Sequence, residues 1–155
     1  MLDAFRAMSP GIRLEQSDLS TFLSAERYDL VIAVNVVQYL SIDRLELFLF
    51  NAAKMLNAHG KIVLAGLPNR QARDVAKQQN LGILHDLRRL GQQPVSIAKG
   101  FAARWIGDDT RAPGDGIGNW FDIDEIKQLS ADTGLTCSIS PSGCYPYRFH
   151  ATIAS

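Results

Sequence analysis

Two stretches, YDLVIAVNVVQYL (Tyr28–Leu40) and LNAHGKIVLAGLPN (Leu56–Asn69), decide the fold. Each is a short apolar run bounded by polar or turn-forming residues, and one helix-length segment lies between them. That order predicts a strand, a crossover helix and a second strand, the unit that builds a parallel sheet. The near-continuous Val, Ile and Leu content of Tyr28 to Val34 predicts a strand covered on both faces and central in its sheet. Asn35 and Gln38 follow directly, and ligands of open α/β sheets sit beyond the carboxyl ends of the strands.

Working outward, Ser41 is placed to cap the crossover helix, and Leu45, Phe48, Leu49, Ala52 and Leu56 recur at the spacing of one buried stripe. Leu47 and Phe50 widen that face. His59-Gly60 predicts a left-handed turn ending the helix, and Lys61 to Leu67 the next buried strand, closed by Pro68. Upstream, Asp3 to Met8 reads as a helix stopped by Ser9-Pro10-Gly11, and Ile12 to Gln16 alternates like a short strand. Ser17-Asp18 then opens a brief turn toward Leu19. Downstream, Gln71 to Leu90 reads as a second long helix. Residues 91–120 lose periodicity, are rich in glycine and hold both tryptophans, which predicts a lid or substrate loop. Asp122 with Glu125 is a capping-box pair, Ile123, Ile126 and Leu129 form a face, and Gly134 ends that helix. Thr136 to Ser140 and Tyr147 to Ala154 predict a terminal antiparallel pair.

Composition sets the class. At 155 residues, 46% hydrophobic and 21% charged, the chain fits one globular domain, residues 1–155. Sixteen basic and sixteen acidic residues cancel, so no net field favours nucleic acid or an anionic membrane, and neither is expected as a partner. No apolar run reaches membrane-spanning length and the N-terminus lacks a signal-peptide pattern, so a cytoplasmic location is expected. Cys137 and Cys144 stand without a second pair or clustered histidines, which predicts reduced thiols and no metal site.

The polar-acidic turn at Ser17-Asp18-Leu19, the YDLVIAVNVVQYL strand, the helix, LNAHGKIVLAGLP, the late helix and the ending YRFHATIA together resemble a class I S-adenosylmethionine-dependent methyltransferase. The resemblance implies a Rossmann-like sheet, mostly parallel with a C-terminal antiparallel hairpin and helices on both faces. It implies S-adenosylmethionine as cofactor and a small-molecule substrate. Asp18 would hydrogen-bond the adenine amino group, and the Leu19 backbone would meet the adenine ring. Asn35, Val36 and Val37 would line the ribose and methionine side, with Gln38 and Tyr39 facing the methyl group and substrate. Trp105 and Trp120, with Phe121 and Tyr145, would form an aromatic wall for that substrate.

The family's opening strand, glycine-rich loop and ribose-binding acid have no counterpart before Met1, so a truncated sheet is expected, with Tyr28 to Val34 left as an apolar edge. That edge would be closed by the Ile12 strand or by a homodimer. The run Gly114-Asp115-Gly116-Ile117-Gly118 lacks the strand before it and the helix after it that a phosphate-cradling loop needs, and reads as a surface loop. Two functions follow: methyl transfer to a small molecule, with cofactor binding impaired by the truncation, or a catalytically silent methyltransferase-like domain serving as a binding or oligomerisation module.

Each candidate also has a structural reading. Asp18 serves equally as a cap for its own turn, and Asn35 and Gln38 as partners of strand-end backbone groups. His85 falls on a helix, and His150, Arg148 and Tyr147 fall on or beside the last strand, where packing accounts for them. Asp108, Asp109 and Asp115 are loop acids without the regular spacing of a cation site. No residue stands out as a catalytic base.

Overall fold

The computed structural model describes residues 11–76 and 118–154. The elements that lie wholly among them are β1 (Tyr28–Val34), α1 (Ile42–Lys54), β2 (Leu56–Pro68), α2 (Ile123–Asp132), β3 (Thr136–Pro141) and β4 (Arg148–Ala154), with 3₁₀ turns at Val37–Tyr39 and Arg70–Ala72; residues 73–76 are also helical. The strands form one sheet in the order β1-β2-β4-β3. The crossover unit forms as expected: β1 and β2 are parallel, with Ile32 opposite Val63 and Val34 opposite Ala65. The hairpin forms too, β3 lying antiparallel to β4.

The expectation of a mostly parallel sheet is overturned. β4 runs antiparallel to β2 as well as to β3, so only one of the three pairings is parallel. The reason is topological: a hairpin inserts its second strand between β2 and β3, and that strand reverses both contacts.

α1 and α2 pack on the same face. Leu45, Phe48, Leu49 and Ala52 of α1 and Ile126 and Leu129 of α2 bury against Ala33, Ile62, Leu64, Phe149, Ala151 and Ile153. Each of the larger chains contributes about 1.5–3 kcal/mol by leaving water. Helices on both faces were expected; of the segment read as the second long helix, Gln71 to Leu90, residues 77–90 lie outside the described set, as do residues 3–8 of the first. Along the second face, Leu30, Ile32 and Val34 are 50%, 57% and 54% exposed. This corrects the reading of β1 as buried on both sides: its apolar content is continuous, but only Val31 and Ala33 face the core.

Four smaller expectations also change. Residues 12–16 form no strand, so β1 keeps an unpaired outer edge among the described residues. Leu47 and Phe50 do not widen the α1 stripe; they are exposed, and the Lys54 ammonium sits 4.1 Å above the Phe50 ring. Leu56 belongs to β2 instead of the helix. Gly60 ends no helix: α1 stops at Lys54, capped by Met55, and Gly60 lies buried within β2. Glycine is needed there because a Cβ would stand 2.8 Å from the Tyr28 carbonyl oxygen, where the β1–β2 register shifts.

The start of α2 follows its sequence signal. Asp122 and Glu125 form the capping box, with Glu125 Oε2 accepting the Asp122 N–H at 3.3 Å. Arg70 reaches both acids, at 2.5 Å to Asp122 and 3.4 Å to Glu125, and so ties the end of β2 to α2. Gly134 follows the helix with φ 79°. Cys137 and Cys144 are free thiols, and burial pushes the Cys137 pKa up. Among the described residues no helix is long and apolar enough to cross a membrane.

Candidate functional site

The polar groups of the sheet gather at the carboxyl ends of β1 and β2. Asn35 ends β1 with φ 53°, a left-handed conformation that asparagine tolerates better than most residues. Its N–H donates to the Ala65 carbonyl at 2.9 Å, so the turn is pinned to β2 at the last rung. Beside it, Gly66 has φ 79° and interrupts the β2–β4 register between Ala65 and Leu67. A Cβ on Gly66 would lie 2.1 Å from Asn35 Oδ1, so the bulge and the asparagine side chain share one space. The Gly66 N–H, freed from the ladder, donates to His150 Nδ1 at 3.1 Å.

Arg148 opens β4 at this same end. Its Nη1 donates to Asn35 Oδ1 at 3.0 Å, to Gln38 Oε1 at 2.8 Å and to the Gly66 carbonyl. Tyr145 and Tyr147 stand 5.8 and 5.6 Å from the guanidinium carbon, a cation–π geometry. Gln38 is buried, and its carbonyl accepts the Asn119 N–H at 2.7 Å. Asn119 Nδ2 also donates to the Leu40 carbonyl at 2.6 Å. The result is a cradle built from β1, the turn after it, the β2 bulge, the start of β4 and the segment before α2.

Of the residues singled out by sequence, Asn35 and Gln38 come together here. Val36 and Tyr39 are exposed on the same turn, whereas Val37 is buried in the main core. Trp120 is 7% exposed and packs with Tyr147 and Ala76. Trp105 lies outside the described residues, as do residues 91–117 of the expected lid. Arg148, which packing alone accounted for in the sequence, is the residue that joins the cluster. No local signal marks it, because its partners are 113, 110 and 82 positions away.

Asp18 forms a separate station. Its Oδ1 accepts from Ser20 N–H at 2.9 Å and Ser20 Oγ at 2.6 Å, and its Oδ2 from Arg44 at 2.8 Å. The turn is held to α1 by Asn51 Nδ2 donating to the Ser20 carbonyl at 3.1 Å, and Leu19 packs on the main core. These bonds are those of a turn-capping aspartate, and a carboxylate has about four lone-pair sites, so acceptor capacity remains. The Ser20 hydroxyl and N–H, and then Arg44, hold the Asp18 carboxyl below its ordinary value of 3.8. A depressed carboxylate stabilises the fold above its unfolded pKa, and that stabilisation is lost as pH falls through the folded value. Asp18→Asn is therefore expected to flatten the acid decline in urea midpoint as pH falls through and below the ordinary carboxyl value of 3.8, while leaving the pH dependence near neutrality unchanged. An unaltered acid slope in the variant would show that Asp18 does not carry it.

No protein-family profile matches the chain, and no curated protein matches its sequence. Solved structures do match in fold. The DhpI–SAM–HEP complex superposes with TM-score 0.61 at 14% identity, covering 99% of this chain and 63% of that one. An O-methyltransferase family protein from Burkholderia thailandensis gives 0.58 at 12% identity, covering 99% and 40%. Magnesium protoporphyrin IX methyltransferase (ChlM) from Synechocystis PCC 6803 with bound SAH gives 0.51 at 15% identity, covering 90% and 49%. The sheet and its helices thus have the α/β fold of the class I methyltransferases. The chain spans 40% to 63% of the length of these three proteins.

Proposed function

We propose that this chain is the β1–β4 part of an S-adenosylmethionine-dependent methyltransferase acting on a small molecule. One observation carries the reading: the left-handed Asn35 and the Gly66 bulge open a polar cradle at the carboxyl ends of a parallel pair, where ligands of this architecture bind. Likeness in fold to proteins whose structures hold SAM or SAH supports it.

In this reading Asp18 and Leu19 receive the adenine, Asn35 and Val36 line the ribose and methionine side, backed by Val37 from the core, and Gln38 lies toward the methyl group. Tyr39 faces the substrate, with Trp105 and Trp120 contributing the aromatic wall. The donor set fits: the Asp18 carboxylate accepts from an amino group, and Val36 and Tyr39 offer exposed apolar surface on the turn after β1. When bound, the cofactor supplies a methyl group on a sulfonium, which a substrate nucleophile displaces. The residues of the chain bind and orient. Proximity and alignment contribute roughly 7 to 11 kcal/mol, so a dedicated side-chain base is not required.

Calorimetric titration of the chain with S-adenosylhomocysteine tests this. The expected result is a single site with a micromolar dissociation constant, about −8 kcal/mol. No heat at millimolar ligand from folded protein would defeat the reading for this chain. A second reading, an oligomerisation module, is favoured by the unpaired outer edge of β1 with its exposed Leu30, Ile32 and Val34, since open apolar edges template pairing between chains. A homodimer through that edge would show in the solution mass of the same sample, and a monomer at high concentration would defeat it.

A further inference from the structure

We propose that Arg148 is the oxyanion-binding residue of a substrate subsite, so that the acceptor is a small acid bearing a carboxylate or a phosphate-type group. The inference rests on the methyl-transfer reading above and adds the chemical class of the substrate to it.

Arg148 differs from the ion-paired arginines of the described residues. Arg13 faces Glu15 and Glu26, Arg44 faces Asp18, and Arg70 faces Asp122 and Glu125. Every hydrogen bond of Arg148 instead goes to a neutral oxygen: the Asn35 and Gln38 amides and the Gly66 carbonyl. These three fix the guanidinium in place without neutralising it. A half-buried cation without a counter-charge is costly, and the rings of Tyr145 and Tyr147 offset only part of that cost.

The unused donors decide what would complete the site. All three bonds leave from Nη1, while Nε and Nη2 have no hydrogen-bond partner among the described residues. Those two N–H groups lie side by side on one edge of the planar fork. Their spacing matches two oxygens of a carboxylate or phosphate, the bidentate geometry that lysine cannot reproduce. Tyr145, half exposed beside the guanidinium, offers a flat apolar surface for the body of such a molecule. Asn35 links the two functions, because the side chain that orients Arg148 belongs to the turn assigned to the cofactor. An acid held by Arg148 would thus be bound next to the reacting methyl group.

The test uses the whole chain labelled with ¹⁵N, with the Arg148 Nε–H signal assigned through bonds in the wild type. Sodium benzoate, phenylphosphonate and neutral benzamide are titrated at constant ionic strength. A saturable shift of the Arg148 signal by benzoate or phenylphosphonate, with benzamide inert, is the expected result. The tighter of the two acids tells carboxylate from phosphate-type recognition. Arg148→Lys should weaken binding at least roughly tenfold while keeping the charge, since it lacks the fork. A signal that neither acid moves, or one that moves linearly without saturation, would overturn the proposal. Titration with S-adenosylhomocysteine on the same sample separates the two readings. Heat from that ligand with an unresponsive Arg148 defeats the anion subsite alone. A responsive Arg148 with no such heat leaves an anion site but overturns its assignment to a methyl acceptor.

Discussion

Gly66→Ala is expected to destabilise the fold by about 2–5 kcal/mol. Two costs combine. The residue sits at φ 79°, and an L side chain in that region costs roughly 1–2 kcal/mol. The new methyl would also stand 2.1 Å from Asn35 Oδ1 and 3.1 Å from Asn35 Cγ, so the asparagine must leave its place, at about 1–3 kcal/mol for an overpacked site. Against a total stability of roughly 5–15 kcal/mol, that is a large fraction. Gly134→Ala is the matched control: the same φ of 79°, but nothing within 4 Å of the added Cβ, so only the conformational cost applies. Urea denaturation of both variants separates the two contributions. Equal losses would mean that Asn35 moves aside freely, and the cradle would then not be the fixed arrangement described. A larger loss at Gly66, with weakened S-adenosylhomocysteine binding in the folded fraction, would tie the bulge to the site.

The elements legible in the sequence are those whose determinants are local. The Asp122 and Glu125 capping box lies within four residues of itself, and α2 begins where it predicts. The two apolar runs separated by a helix gave β1, α1 and β2 because a parallel pair needs a crossover, whatever the rest of the chain does. What failed depends on partners far away. The Val and Ile content of β1 reads the same for a strand buried on both faces and for one with Leu30, Ile32 and Val34 open, since the covering element is not written in the strand. Gly60 looked like a helix stop because glycine commonly is one, but it answers to the Tyr28 carbonyl across the sheet. The antiparallel return of β4 beside β2 likewise follows from how the hairpin inserts, not from any pattern in Arg148 to Ala154.

The same division holds in the site. Asn35 and Gln38 were visible as polar residues directly after an apolar strand. Arg148 was not, because an arginine opening a terminal strand carries no signal until the sheet brings it against the end of β1. A search for polar residues opposite one another at strand ends, once the strand order is known, would have found it. Sequence spacing alone could not.

The α1 stripe gives the second large effect. Leu49→Ala is expected to cost about 2–5 kcal/mol, the usual range for a leucine deleted from a packed core, since Leu49 is 1% exposed among Phe48, Ala52 and the β2 side chains. Leu47→Ala should cost under about 1 kcal/mol, as expected of a surface position away from the core. The two substitutions remove the same atoms from the same helix, so helix propensity and unfolded-state effects nearly cancel in their difference. What remains is burial. Thermal or urea unfolding of the pair therefore reads directly which face of α1 meets the sheet. If Leu47→Ala proved as costly as Leu49→Ala, the surface formed by Leu47 and Phe50 would be covered in solution by another segment or by a second copy. A dependence of that loss on protein concentration would identify the second copy, because only association makes stability vary with concentration.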